Sequence, residues 1–233
     1  MLRPSPRSLF AAALLAASSA ASAVFAQSPT LILQCQDPRE PRDEAALIAK
    51  LADGKVVRQS RHVLQVQAGG KTINLVDKPP HDEPFSGTHR WFCDRRDGFI
   101  LLRTDDDSRY TGTLVNEATG DVSPGGEDVT FSADRRAYFA TVQPDGLDGE
   151  EWKIYAVTGK LSWSGFSYIP EAHDRDRIVA QLANPRWQPN GEFTAEATCV
   201  FGRHRTWPVT LKKISNTWDW YPKASTRCTS DQP

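Results

Sequence analysis

The sequence predicts a mainly-β protein with one short N-terminal helix. Beyond about residue 55 the apolar residues recur with a period of two, and Gly, Pro, Asp and Asn interrupt the chain about every 8 to 12 residues, which is typical of short strands joined by turns. The aromatic content, 7 Trp, 10 Phe and 5 Tyr against a single Met, favours a core built on rigid rings.

The one helix that the sequence predicts covers residues 41–53. Pro41 suits a first helical turn, and Asp43 and Glu44 complement the positive end of a helix dipole. Apolar residues then recur at helical spacing until Gly54, which is expected to end the helix.

The period-two region predicts hairpins. Segments 63–66 and 72–76 flank Gly69-Gly70 as one hairpin, and 99–102 pairs with 110–115 as the next. Further strands are predicted over 127–132, 136–143, 151–157, 160–164, 177–182, 192–201, 205–213 and 217–221.

Two short motifs recur in this region. Residues 114–122 and 153–161 both run from an apolar strand through Thr-Gly into a new strand, 39 positions apart, and 131–135 and 187–191 share an aromatic residue followed by a turn. Both motifs resemble the strand-turn-strand step of β-propeller blades. The resemblance implies a partial propeller-like fold over about residues 85–221, with a β-sandwich or β-meander as the alternative.

The N-terminal residues have the pattern of a secretory signal peptide. Arg3 and Arg7 precede an apolar run from Leu9 to Ala17, and small residues follow up to Ala26. Cleavage after Ala26 is favoured over cleavage after Ala23, so residues 27–233 are expected to form a single mainly-β domain in the periplasm. The apolar run is too short to span a bilayer, and the residue before Cys35 is Gln, which argues against a lipid anchor.

Four cysteines follow the signal peptide, without the spacing of a metal or redox motif. An exported protein is expected to oxidise them to disulfides. Of the three possible pairings, we favour the sequence-local one, Cys35 with Cys93 and Cys199 with Cys228, because short loops are the easiest to close.

Composition and motifs exclude several functions. The formal charge is −1 and both signs are interspersed, so nucleic acid and anionic membranes are not expected partners. The sequence predicts no enzyme, no cofactor and no metal site, because no catalytic motif occurs and the histidines are scattered: His62, His81, His89, His173 and His204. Asp105–Asp107 and Asp145–Glu151 match no calcium loop and are interpreted as solvated turns.

One stretch is a candidate binding surface. Aromatic residues crowd 152–168, and Gly165-Phe166-Ser167-Tyr168 is predicted to form an exposed aromatic loop of the kind found in protein interfaces. Together with the acidic residues before it, this loop gives the candidate partner-binding set Asp145, Asp148, Glu150, Phe166 and Tyr168.

The sequence therefore predicts a non-catalytic periplasmic binding protein. In general character it is similar to the immunity proteins that neutralise antibacterial toxins, and blocking would be steric, with loops entering the toxin's cleft. The alternatives are a carbohydrate- or peptidoglycan-binding module that uses Trp163 or Trp218 as stacking platforms, and a hydrolase without a recognisable motif.

Overall fold

The structure is a computed structural model that describes residues 30–35, 43–81, 86–106, 109–143, 149–171, 173–174, 176–201 and 205–228. The predicted signal peptide, residues 1–26, lies outside the described residues. The described part contains strands β1 to β17, helix α1 and a short 3-10 helix at Ala224–Thr226. The mainly-β class with one short helix is confirmed.

The strands form four antiparallel sheets, which we number along the chain. Sheet I contains β2 (Val56–Ser60), β3 (Val63–Ala68) and β4 (Lys71–Val76). Sheet II contains β5 (Thr88–Arg96), β6 (Phe99–Asp106), β7 (Arg109–Asn116) and β8 (Val122–Gly125). Sheet III contains β1 (Ile32–Gln34), β9 (Asp128–Phe131), β10 (Ala137–Val142), β11 (Glu151–Ala156) and β12 (Leu161–Phe166). Sheet IV contains β13 (Tyr168–Pro170), β14 (Ile178–Trp187), β15 (Phe193–Cys199), β16 (Thr206–Ile214) and β17 (Thr217–Tyr221). Apart from β1, each sheet is a meander in chain order.

Helix α1 spans Glu44–Leu51, so the predicted helix at 41–53 is confirmed with narrower bounds. The Asp43 carboxylate accepts a hydrogen bond from the Ala46 N–H at 3.0 Å, which caps the first turn. Asp53 and Gly54 both have positive φ, and this left-handed backbone ends the helix. Pro41 lies outside the described residues.

Neighbouring sheets share cores, so the four sheets form a stack. In β6, Ile100 and Leu102 pack towards sheet I, whereas Leu101, between them, packs towards sheet III. Sheet II is therefore covered on both faces, which explains why Phe99–Leu102 is continuously apolar instead of alternating. No core cluster among the described residues joins sheet I to sheet IV.

The core between sheets III and IV is the most aromatic. Phe139 and Phe193 lie 4.8 Å apart between ring centroids, and Trp152 meets Trp220 edge to face at 6.3 Å. In β10, Tyr138 on the opposite face belongs to the core shared with sheet II. Among the described residues, nine aromatic side chains are buried in the three cores.

Both predicted hairpins are confirmed, as β3–β4 around Gly69-Gly70 and as β6–β7. The Thr-Gly motif lies at the β7–β8 and β11–β12 turns, and the aromatic motif at β9–β10 and β14–β15. Arg135 and Gly191 occupy equivalent turn positions with φ of 58° and 83°, so the arginine adopts the conformation expected of glycine. The resemblance to propeller blades stays a prediction.

The two predicted disulfides are confirmed. Cys35 beside β1 is bonded to Cys93 in β5, which joins sheet III to sheet II. Cys199 in β15 is bonded to Cys228, after the 3-10 helix. Two disulfides indicate folding in an oxidising, extracytoplasmic environment. Within the described residues no helix has the length and apolarity needed to cross a bilayer.

Candidate functional site

A groove of about 1150 Å³ opens where one edge of sheet III meets one edge of sheet IV. We call it the aromatic groove. Its walls are residues 163–166 of β12, residues 168–170 of β13, residues 218–220 of β17, and the C-terminal segment that includes Ala224 and Cys228. The groove is concave and lined by aromatic rings with a few charged groups, so it is a candidate for a binding site.

The groove follows two sheet edges. β12 is the last strand of sheet III and β13 is the first strand of sheet IV, and only Ser167 separates them. Ser167 joins the sheets, because its N–H donates to the Glu150 carbonyl at 2.9 Å and its carbonyl accepts from the Leu182 N–H at 2.8 Å. Four consecutive residues of β12 line the groove. Because successive side chains of a strand point to opposite faces, both faces of β12 and the strand edge between them border the groove.

Exposed and half-buried rings line this edge. The Phe166 side chain is 41% exposed, and its ring lies parallel to that of Tyr168, with centroids 5.0 Å apart and 7° between the planes. Trp163 is half-buried and meets Trp220 edge to face at 5.8 Å. Gly165 leaves room for this indole, because a Cβ there would lie 2.5 Å from a Trp163 ring atom.

The charged groups of the groove are paired with one another. Arg177 forms an ion pair with Glu171 at 3.2 Å, and Lys223 contacts Asp219. The Arg177 guanidinium also lies over the Phe201 ring at 5.7 Å. The groove therefore presents apolar rings with balanced charges, which suits a partner that brings no large net charge.

Two of the five predicted partner-binding residues, Phe166 and Tyr168, line this groove. The predicted form of their segment is wrong: Gly165 and Phe166 end β12, and Tyr168 begins β13, so the segment is a strand crossover and not a loop. The reason is that the residues on either side of Ser167 are paired in β12 and β13, so Ser167 alone makes the turn. The predicted platforms Trp163 and Trp218 also line the groove, and both are half-buried.

Glu150 is placed differently from Phe166 and Tyr168. Its carboxylate accepts a hydrogen bond from the Trp152 indole N–H at 2.6 Å, so it is engaged with a core residue. Burial raises the pKa of Glu150. The other two predicted residues, Asp145 and Asp148, lie outside the described residues.

Glu150 belongs to a group of partly buried carboxylates near the start of β9. Burial raises the pKa of Glu127 and of Asp128, and the neighbouring Arg103 guanidinium opposes the rise at Glu127. One Glu127 carboxylate oxygen is buried and has no hydrogen-bond partner within the described part of the chain. These three carboxyl groups are therefore harder to ionise in the folded protein than in the unfolded chain.

The interpretation of Asp105–Asp107 as a solvated turn is wrong for its first two residues. Asp105 and Asp106 are the last residues of β6, and Asp105 contacts the buried Arg103 guanidinium. Arg103 also lies over the Tyr110 ring at 4.2 Å. The Asp105 carboxylate thus pairs with a buried cation, and the Asp105 backbone pairs with β5 and β7. Asp107 lies outside the described residues.

Sequence reasoning missed one convergence of residues. His62 stacks on His81 with ring centroids 3.9 Å apart, His81 meets His89 at 6.4 Å, and Asp77 lies beside them. The predicted hairpin around Gly69-Gly70 contained part of the signal, because its observed register pairs Val63 with Val76 and so places His62 next to Asp77. The position of His89 had no such signal, since its strand β5 was not predicted.

As it stands, no group of three or more His, Cys, Asp and Glu among the described residues is arranged to hold a metal ion. Comparison of the chain with protein-family models, with curated proteins and with solved structures finds no match. Function must therefore be argued from the aromatic groove and from the other clusters of this chain.

Proposed function

We propose that this chain is a non-catalytic binding protein of the periplasm, and that it holds an extended segment of a protein partner in the aromatic groove. The signal-peptide pattern and the two disulfides support the compartment. The observation that carries the binding proposal is that the aromatic side chains of the groove lie along the edge of β12.

An edge strand offers a particular kind of recognition. β12 is the last strand of sheet III, and no strand of the described residues pairs with its outer N–H and C=O groups in that sheet. An extended peptide can pair with such an edge, so that its backbone gives affinity while alternate side chains enter pockets beside the strand. Trp163, Phe166 and Tyr168 supply those pockets here.

The chemistry of the groove also favours a protein partner. Trp, Tyr, Phe and Arg are enriched in protein interfaces, and Trp, Tyr and Arg dominate their binding energy. The charged groups of the groove already form two ion pairs, Arg177 with Glu171 and Lys223 with Asp219. A partner would therefore be held mainly by apolar and backbone contacts.

Neutralisation of a cognate antibacterial toxin by steric blocking is the specific form of this proposal. A concave groove reverses the geometry expected from the sequence: the toxin would contribute the segment and this chain the cleft. If the groove holds a segment that the toxin needs to reach its target, the toxin is blocked sterically and this chain carries out no reaction.

Photo-crosslinking tests the proposal. A benzophenone-bearing amino acid is placed at Phe166 in the groove and, as a matched control, at Val122 in β8, which is 52% exposed and does not line the groove. In the native cell envelope and secretome, irradiation should join one protein to the Phe166 variant and none to the Val122 variant. Equal products from both positions, or none from Phe166, would contradict the proposal.

A carbohydrate ligand is the second candidate, because Trp163 and Trp218 line the same groove and rings of this kind stack on sugars. The test is quenching of tryptophan fluorescence by soluble peptidoglycan fragments. Saturable quenching that is lost in Trp218→Ala would support the glycan and displace the protein partner. No quenching by any wall fragment would remove this candidate.

A further inference from the structure

Three of the five histidines of this chain converge at the junction of sheets I and II, and two of them lie beside one buried carboxylate. His62 lies in the turn between β2 and β3, and Asp77 directly follows β4. His81 comes four positions after Asp77, and His89 lies in β5. The Asp77 side chain is 4% exposed. We call these four residues the histidine cluster.

The distances in the histidine cluster are unusual for a hydrogen-bonded network. The Asp77 Oδ2 atom lies 3.8 Å from the Nδ1 atom of His62 and 3.8 Å from the Nδ1 atom of His89, too far for hydrogen bonds. Two ligands of one tetrahedral zinc ion, each bonded at about 2.1 Å, are separated by about 3.4 Å. Each of the two nitrogens therefore lies about 0.4 Å further from Asp77 Oδ2 than two ligands of one ion would lie from each other.

Two nitrogens of the cluster have no hydrogen-bond partner among the described residues. They are the buried Nδ1 atoms of His62 and His81. A buried, unpartnered polar atom costs free energy, and a ligand that satisfies it recovers that cost. Neutral imidazole nitrogens beside a carboxylate are the donor set that zinc and its neighbours among the transition metals prefer.

The backbone holds three of the four residues in place. The Asp77 N–H donates to the His62 carbonyl at 3.0 Å, and Lys78 and Thr88 exchange two backbone hydrogen bonds of 3.0 Å. The Arg90 N–H donates to Asp77 Oδ1 at 2.9 Å, which orients the carboxylate and leaves Oδ2 facing the histidines. An outer hydrogen bond of this kind is the usual support of a metal-binding carboxylate.

We propose that the histidine cluster binds a divalent transition-metal ion of the zinc type through His62, Asp77 and His89, with His81 as the fourth ligand. In the structure His81 is stacked on His62 with 19° between the rings, so their nitrogen lone pairs run side by side and do not meet. The ion draws His81 out of this stack by rotation of its side chain, without a change in the backbone of the strands. Each coordinating Nδ1 binds as the neutral base, so any proton on it is released or moves to Nε2.

Calorimetric titration with zinc chloride at neutral pH tests this site. The protein is used without a histidine tag and is freed of metal by a chelator. We expect one zinc ion per chain, and at least about tenfold weaker binding in each of His62→Gln, His81→Gln and His89→Gln, because loss of outer-shell support alone costs tenfold or more. His173→Gln, which changes a groove residue far from the cluster in sequence, is the matched control and should bind zinc as the parent does.

A second measurement needs no substitution. In the unmodified protein, the NMR signals of the His62, His81 and His89 rings should shift on addition of zinc, while that of His173 stays in place. Absence of zinc uptake, full affinity in any of the three cluster variants, or an equal shift at His173 would overturn the proposal. Because the histidine cluster does not line the aromatic groove, these results are independent of partner binding.

Discussion

The Cys199–Cys228 disulfide attaches one wall of the aromatic groove to the interior of sheet IV. Cys199 is buried in β15, whereas Cys228 lies in the C-terminal segment and lines the groove. The amides of Thr226, Arg227 and Cys228 donate to carbonyls of Lys223 and Ala224 in the same segment. The shape of the groove on this side therefore depends on a covalent bond as well as on packing.

The double variant Cys199→Ser/Cys228→Ser should lower the free energy of unfolding by about 3.5 kcal/mol, from the loop of 29 positions that it opens. Hydrogen exchange at the amides of 226–228 should accelerate, because the segment loses its anchor. Cys35→Ser/Cys93→Ser is the matched control: it should cost about 4 kcal/mol and leave exchange at 226–228 unchanged. Accelerated exchange there in both variants would refute the anchoring role.

Coverage of sheet II on both faces can be tested with adjacent residues of β6. Ile100 and Leu101 are fully buried but belong to different cores. Ile100→Ala and Leu101→Ala should each destabilise the protein by about 2 to 5 kcal/mol in chemical denaturation. Val122→Ala, at an exposed position of β8, should change stability by less than about 0.5 kcal/mol. A near-neutral effect at either buried position would show that one face of the sheet is open.

The β3–β4 turn provides a pair of neighbouring glycines for comparison. Both have positive φ, 57° at Gly69 and 71° at Gly70, but a Cβ on Gly69 would lie 2.2 Å from the Thr119 carbonyl oxygen, whereas one on Gly70 meets nothing within 4 Å. Gly70→Ala should cost about 1 kcal/mol for its left-handed backbone. Gly69→Ala should cost clearly more, because the backbone at Thr119 must move. Equal melting temperatures of the two variants would contradict this close approach of sheets I and II.

The buried carboxylates predict a pH dependence of stability. Burial raises the pKa of Glu127, Asp128 and Glu150, so the folded protein holds these protons more tightly than the unfolded chain. Their contribution to stability is full below the unfolded-state pKa of about 4 and is lost as pH rises through the raised pKa. Glu127→Gln should therefore reduce the fall in unfolding free energy between about pH 4 and pH 7.

Glu196→Gln is the control for this titration, because Glu196 should affect the pH dependence of stability in the opposite direction. Hydrogen bonds from Asn184 and Arg186 lower the pKa of Glu196, so its contribution is present above the unfolded-state pKa and is lost as pH falls. A Glu127→Gln curve that runs parallel to that of the parent protein over the same range would show that Glu127 does not titrate with folding.

The sequence predicted most strands because their local signals agree. Segment 217–221 matches β17 in both bounds, and Gly69-Gly70 marks a turn whose two residues both need positive φ. The disulfide pairing was also predictable, because loop closure favours near neighbours. These features depend on local sequence or on chain separation.

Other features depend on contacts that no local pattern records. β5 was missed because a bulge between Phe92 and Asp94 breaks its alternation and charged residues fill its end. The short strands β1, β2 and β13 were missed too, and β1 pairs with a strand about 100 positions away. For the same reason nothing in the sequence indicated that His89 meets the other two histidines, because it lies in β5.

The aromatic groove was likewise predictable only in part. Phe166 and Tyr168 were recognised from their aromatic density, but their position at the crossover between two sheet edges required the tertiary structure. Trp218 and the Cys228 segment belong to the same site although they lie 50 or more positions further along the chain.

The affinity of the protein crosslinked at Phe166 tests the central claim most directly. Once that partner is purified, its dissociation constant is measured by calorimetry with the parent chain, with Phe166→Ala/Trp218→Ala, and with Val122→Ala. Removing two aromatic contacts from the centre of the interface should weaken binding by at least about thirtyfold, since such residues each contribute 1 to 2 kcal/mol or more. Val122→Ala should bind as the parent does. Equal affinity of the groove variant and the parent would show that the aromatic groove is not the binding site.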